Sequence, residues 1–110
     1  MIIKRGDTFP RVQAKVLDEL GNAVNVTGAT VKFSMRYARN PSVQPLDGES
    51  GEVANGPTGD VYYQWLSGDT EPLALGAYEA EFKVSGVAGG PYRVPTSGYL
   101  PVVVEERVGT

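Results

Sequence analysis

The stretch Leu75-Gly76-Ala77-Tyr78-Glu79-Ala80-Glu81-Phe82-Lys83-Val84 decides the fold. Gly76 releases the chain, and Tyr78, Ala80, Phe82 and Val84 then alternate with Glu79, Glu81 and Lys83. Successive side chains of a strand point to opposite faces, so this alternation describes a half-buried strand, one face in a core and the other in water.

Upstream, Thr30 to Tyr37 alternates in the same way, with Val31, Phe33, Met35 and Tyr37 inside and Lys32, Ser34 and Arg36 outside. If the two strands are neighbours, Lys32 and Arg36 face Glu79 and Glu81 across the wet surface, where each opposite-charge pair contributes about 0.2–1 kcal/mol. Pro10 opens an earlier strand with Val12, Ala14 and Val16 on one side and Arg11, Gln13 and Lys15 on the other. Asp18-Glu19-Leu20-Gly21-Asn22 and Asn25-Val26-Thr27-Gly28 are turns by composition. Ile2-Ile3-Lys4 is a short edge strand ended by a turn at Arg5-Gly6-Asp7. That tripeptide is the one integrins recognise, a match that chance supplies at this length.

Between Ala38 and Thr58, Asn40-Pro41, Gln44-Pro45, Asp47-Gly48 and Asn55-Gly56-Pro57 punctuate the chain, and only Glu52-Val53-Ala54 reads as a brief strand. A long connection of this kind is often functional, which makes it a candidate contact surface. Val61-Tyr62-Tyr63-Gln64-Trp65 is a strand by its aromatic and β-branched content, with Val61, Tyr63 and Trp65 facing the core. Leu66 to Pro72 forms a tight corner in which Ser67 or Asp69 acts as a cap. Ser85 to Pro91 is a hairpin connection that returns Tyr92-Arg93-Val94 beside the central strand, and Tyr99 to Val104 closes the fold. Pro101 has no N–H for a ladder and belongs at an edge or a bulge. The last residues, from Glu105, are expected to be loose unless a partner holds them.

Composition narrows the function. A chain of 110 residues is one domain, residues 1–110, able to bury a core without a staple. It has no Cys and no His, so disulfides, thiolate chemistry, the usual general base and the commonest zinc ligand are all missing. Four lysines remain as conceivable bases, and three of them alternate outward on strands, where a depressed pKa is not expected. No phosphate loop or EF-hand spacing is present. The reading is a protein that is not an enzyme and carries no cofactor or metal. A net charge of −3 argues against a nucleic-acid surface. No apolar run suggests a signal peptide or membrane span, and a soluble protein made in a cytoplasm is expected. Tyr62, Tyr92 and Tyr99 are candidates for outward rings, so a carbohydrate-binding module is the rival reading, decided by whether two or three coplanar rings share one face.

Taken together, the segments predict an all-β chain of about seven antiparallel strands in two sheets. A tyrosine at the start of a central strand, after a turn and two residues before a core position, resembles the tyrosine corner of immunoglobulin-like sandwiches, whose hydroxyl reaches back to the preceding corner. Tyr78 takes that place, and Ala80 stands where antibody domains carry a cysteine. Ile3-Lys4-Arg5-Gly6-Asp7-Thr8-Phe9-Pro10, the run from Asp18 to Phe33, Tyr63-x-Trp65-x-x-Gly68-Asp69-Thr70, Gly76-x-Tyr78-x-Ala80-Glu81-Phe82 and Gly98-Tyr99-Leu100-x-Val102-Val103-Val104 resemble the small immunoglobulin-like domains of tailed-bacteriophage virion proteins. They are similar to the N-terminal domain of phage baseplate upper proteins. The resemblance implies a virion structural protein, present in several copies or as a homo-oligomer, that docks on the major capsid, tail or fibre proteins; contact with host polysaccharide is the further possibility. In such a protein the edges and end loops carry the binding. The candidate interface residues are Ile2, Ile3, Pro41, Val43, Pro45, Leu46, Tyr92 and Val103, with Val102-Val103-Val104 as an apolar edge.

Overall fold

The computed structural model describes residues 1–109. The decisive stretch forms the longest strand, β7 (Gly76–Ser85), and the large sheet is assembled on it. One side of β7 pairs antiparallel with β3 (Thr30–Tyr37), Phe33 opposite Phe82 and Met35 opposite Ala80. The other side is shared by two strands placed end to end. β9 (Leu100–Glu105) covers Gly76 to Ala80, and β8 (Tyr92–Val94) covers Phe82 to Val84. β1 (Ile2–Lys4) lies outside β9, and β4 (Leu46–Ser50) lies outside β3. The small sheet runs β2 (Val12–Lys15), β6 (Asp60–Tyr63), β5 (Glu52–Asn55). The end at which β3 finishes and β7 begins is the upper end below.

The inward residues of both sheets form one core. Phe33, fully buried, stacks on Tyr63 of the small sheet with ring centroids 4.6 Å apart, and meets Trp65 edge-on at 6.0 Å. Burying a ring of this size contributes about 1.5–3 kcal/mol, so this cluster is the main tie between the sheets. Val12, Val16, Val61, Tyr63 and Trp65 are buried as their alternation predicts. Tyr78 is buried too, and its hydroxyl donates to the carbonyl of Ala74 at 2.7 Å, the backward reach expected of it.

The predicted turns are present, Gly6, Gly21 and Gly28 all having positive φ. The corner after Trp65 is capped by Asp69 and not by Ser67: its carboxylate accepts from the Leu66 N–H at 2.7 Å and from the Tyr63 hydroxyl at 2.6 Å.

Five features differ from the expectation. Among the described residues there are nine strands, two more than the approximate seven, and the pairing is mixed, because β1 runs parallel to β9. The segment 46–50 is not a loop, and the brief strand expected at Glu52-Val53-Ala54 is present as β5. β4 joins the large sheet, the chain crosses at Gly51, and β5 joins the small sheet. A Cβ on Gly51 would lie 2.7 Å from Val31 Cγ1 and 3.0 Å from the Tyr62 carbonyl, so the crossing needs a residue without one. Lys32 stands opposite Lys83 and not opposite an acid; Glu81 is bonded instead to Arg93 at 2.8 Å. Only Arg36 finds its predicted partner, Glu79, at 2.9 Å.

Glu106 and Arg107, just after β9, are held within the chain, Arg5 to Glu106 at 2.6 Å and Arg107 to Glu71 at 3.2 Å. Arg107 also donates to the Arg5 carbonyl, so the Arg5-Gly6-Asp7 turn lies against the Arg107 side chain. Finally, Pro101 sits in an interior strand. Val103 N–H donates to the Met1 carbonyl, and alternation turns the Pro101 nitrogen to that same side, above the first residue of β1, where no ladder bond is lost.

Candidate docking surface

Alternation sets the outer face of the large sheet. Because Ile3, Val102, Val104 and Tyr78 point into the core, their neighbours Ile2, Val103 and Ala77 point out. Register then places the three side by side, Ile2 opposite Val103 and Val103 opposite Ala77. Ile2 is 53 % exposed. This apolar row crosses three strands at the upper end. On one side of it Lys4 bonds Glu105 at 2.9 Å; on the other, Arg36 bonds Glu79 at 2.9 Å. The charged residues flanking the row are thus already matched to each other, and the apolar row between them is unmatched.

The 38–45 segment follows β3 at the same upper end. Ala38 N–H donates to the Ala77 carbonyl, so the segment starts beside the row. It is folded tightly: Tyr37 N–H bonds the Val43 carbonyl, Val43 N–H bonds the Asn40 carbonyl, and Ser42 Oγ bonds Asn40 Oδ1 at 2.7 Å. Pro41, Val43 and Pro45 are exposed, Val43 by 46 %. Gln44 returns to the outer face, where it shares a hollow with Ser34, Arg36, Glu79, Glu81 and Tyr99. In that hollow the Arg36 guanidinium lies 4.5 Å from the centre of the Tyr99 ring and also bonds its hydroxyl. The bond to Glu79 raises the pKa of Arg36 further, with the Tyr99 contacts adding to it.

Of the eight residues expected at an interface, Ile2 and Val103 lie side by side in the outward row, while Pro41, Val43 and Pro45 are exposed on the 38–45 segment. Ile3 and Leu46 are core residues, 1 % and 6 % exposed, because they occupy the inward positions of β1 and β4. Val103 is not on an edge, since β1 covers β9. Tyr92 lies at the opposite end, opposite Val84, with its hydroxyl turned back to the Ala88 carbonyl at 3.2 Å. Ala77 was missed, although its place next to Tyr78 in the decisive alternation marks it as outward. The Arg36–Tyr99 contact joins residues 63 apart and leaves no local signal.

The three tyrosines considered for sugar stacking do not share a face. Tyr62 lies on the outer face of the small sheet with Arg11 over its ring at 3.9 Å, Tyr99 lies on the large sheet under Arg36, and Tyr92 lies at the lower end. Among the described residues no three His, Cys, Asp or Glu are grouped to hold a metal ion. Compared with protein-family models and with curated proteins, the chain matches none.

Proposed function

We propose that this chain is a non-enzymatic structural adaptor of a tailed-bacteriophage virion, an immunoglobulin-like sandwich that docks on a larger protein assembly through the upper end of its large sheet. The observation that carries the docking surface is the row Ile2, Val103 and Ala77, with its charged flanks already paired. An apolar centre inside a polar rim is the usual anatomy of a protein interface. The Tyr78–Ala74 bond supports the immunoglobulin-like reading. So does the order of the sheets, a three-stranded layer facing one built on β9, β7 and β3. The phage assignment rests on the ordered likeness of the segments from Ile3 to Val104 to virion domains. Its partners are then capsid, tail or fibre proteins.

The test is incorporation. Ile2→Asp and Val43→Asp place a charge on side chains that are about half exposed, so the fold is expected to survive, with stability changed by about 0.5 kcal/mol or less. Each variant is expected to be depleted from purified particles while accumulating normally in the infected cell. Normal incorporation of both would remove this surface as the docking site. The carbohydrate reading needs a platform of coplanar exposed rings, and the three tyrosines on three separate surfaces do not supply one.

A further inference from the structure

A sheet edge offers unpaired N–H and C=O groups to any other strand, and proteins normally blunt it. Four of the outer strands of this molecule are blunted. β4 has a register shift and places Glu49 opposite the inward Phe33. β5 also has a register shift. β1 and β8 are three residues each, and β8 lies between Pro91 and Pro95. β2 is different. It pairs with β6 in unbroken register from Val12 to Lys15, and its inward residues, Val12, Ala14 and Val16, are uncharged. Val16 N–H bonds the Gly59 carbonyl on the β6 side, so alternation turns the N–H and C=O groups of Gln13 and Lys15 to the open side. The two cations of this stretch lean away from that side: Lys15 bonds Asp60 at 3.2 Å and the Thr58 carbonyl, and Arg11 lies over Tyr62.

The two ends of the strand are complementary to each other. At its start stand Phe9, 68 % exposed, and Arg11, which has no acidic partner among the described residues. At its finish stand Leu17 and Leu20, 41 % and 82 % exposed, and Glu19, which has no basic partner among them. Beside the finish a groove opens, lined by Leu17, Asp18, Glu19, Gly89, Tyr92 and Thr96. A strand with an aromatic ring and a cation at one end, and a groove and an anion at the other, matches a second copy of itself laid antiparallel.

We infer that the chain forms a two-fold dimer through β2, the two small sheets joining into one of six strands. Across the dyad Phe9 of each copy enters the groove beside Leu17 of the other, and Arg11 of each meets Glu19 of the other. Such an interface is self-complementary, as two-fold symmetry requires. It lies on the small sheet and leaves the upper end of both large sheets free. The inference does not depend on the virion reading.

Sedimentation equilibrium of the purified chain tests it with no other component present. The wild type is expected to be a dimer in concentration-dependent exchange with monomer. Phe9→Ala is expected to weaken the dimer by about thirtyfold, since an aromatic anchor is lost from both halves. Arg11→Glu is expected to weaken it by about tenfold, and adding Glu19→Arg to restore it. Gln13→Pro, which removes an outward N–H, is expected to give monomer. Phe9 is largely exposed in the monomer, so an unchanged circular dichroism spectrum separates loss of association from loss of fold. A wild type that is monomeric at every concentration overturns the inference. So does a dimer that Phe9→Ala and the charge exchange leave unaltered.

Discussion

Two buried tyrosine hydroxyls fasten the corner between the sheets, and both act on backbone or side chains close in sequence. Tyr78 holds the Ala74 carbonyl, and Tyr63 holds the Asp69 carboxylate, which in turn caps the Leu66 N–H. Tyr78→Phe keeps the ring in the core and removes one hydrogen bond, leaving the Ala74 carbonyl without that donor; a loss of about 1 kcal/mol in urea unfolding is expected. Tyr63 adds a pH dependence. Burial, and after it the bond to Asp69, push its hydroxyl above the usual tyrosine range. A group whose folded pKa is raised stabilises fully below its unfolded pKa, about 10 for tyrosine, and its contribution falls as pH rises beyond that value. The unfolded chain then releases a proton that the folded chain keeps. Tyr63→Phe is therefore expected to flatten the decline in stability above about pH 10, measured by denaturant midpoints across the alkaline range. An unchanged alkaline slope would contradict this role.

At the scale of the strand, one demanding position is Gly51, where the chain leaves β4 and enters β5. Gly51→Val would drive a side chain into Val31 and the Tyr62 carbonyl, and a loss of about 1–3 kcal/mol by thermal or urea unfolding is expected. This crossing is also where sequence reading stopped short. β3, β7 and the inward face of Val61, Tyr63 and Trp65 were legible because strict alternation reports burial on one side. β4 was not, because Asp47-Gly48-Glu49-Ser50 carries turn residues on an edge strand, exposed from Asp47 onward and with only Leu46 buried. The same reason hid part of the docking surface. Ile2 and Val103 were legible as apolar residues, whereas Ile3 and Leu46 look alike in sequence and are separated from them only by register. The pairing of Lys32 with Lys83 has a similar origin: composition named the right strands and could not give the offset between them.

For the whole molecule, the sandwich keeps its proposed docking row and its proposed pairing edge apart. The core ties the sheets through Phe33, Tyr63 and Trp65, the upper end of the large sheet presents an apolar row, and the open side of β2 faces a different direction. On the proposed function, an adaptor built in this way would dock by one surface and pair by another. The four lysines report on that arrangement. Lys4 borders the apolar row, Lys15 lies on β2, and Lys32 and Lys83 lie together lower on the outer face of the large sheet. Cross-linking mass spectrometry on intact purified particles carrying this chain is the measurement that tests the central claim most directly. Cross-links from Lys4 to a capsid, tail or fibre protein, with Lys32 and Lys83 linking to other proteins far less, are the expected result. A chain absent from the particles, or one whose cross-links to other proteins run through Lys32 and Lys83 while Lys4 stays unlinked, would contradict it.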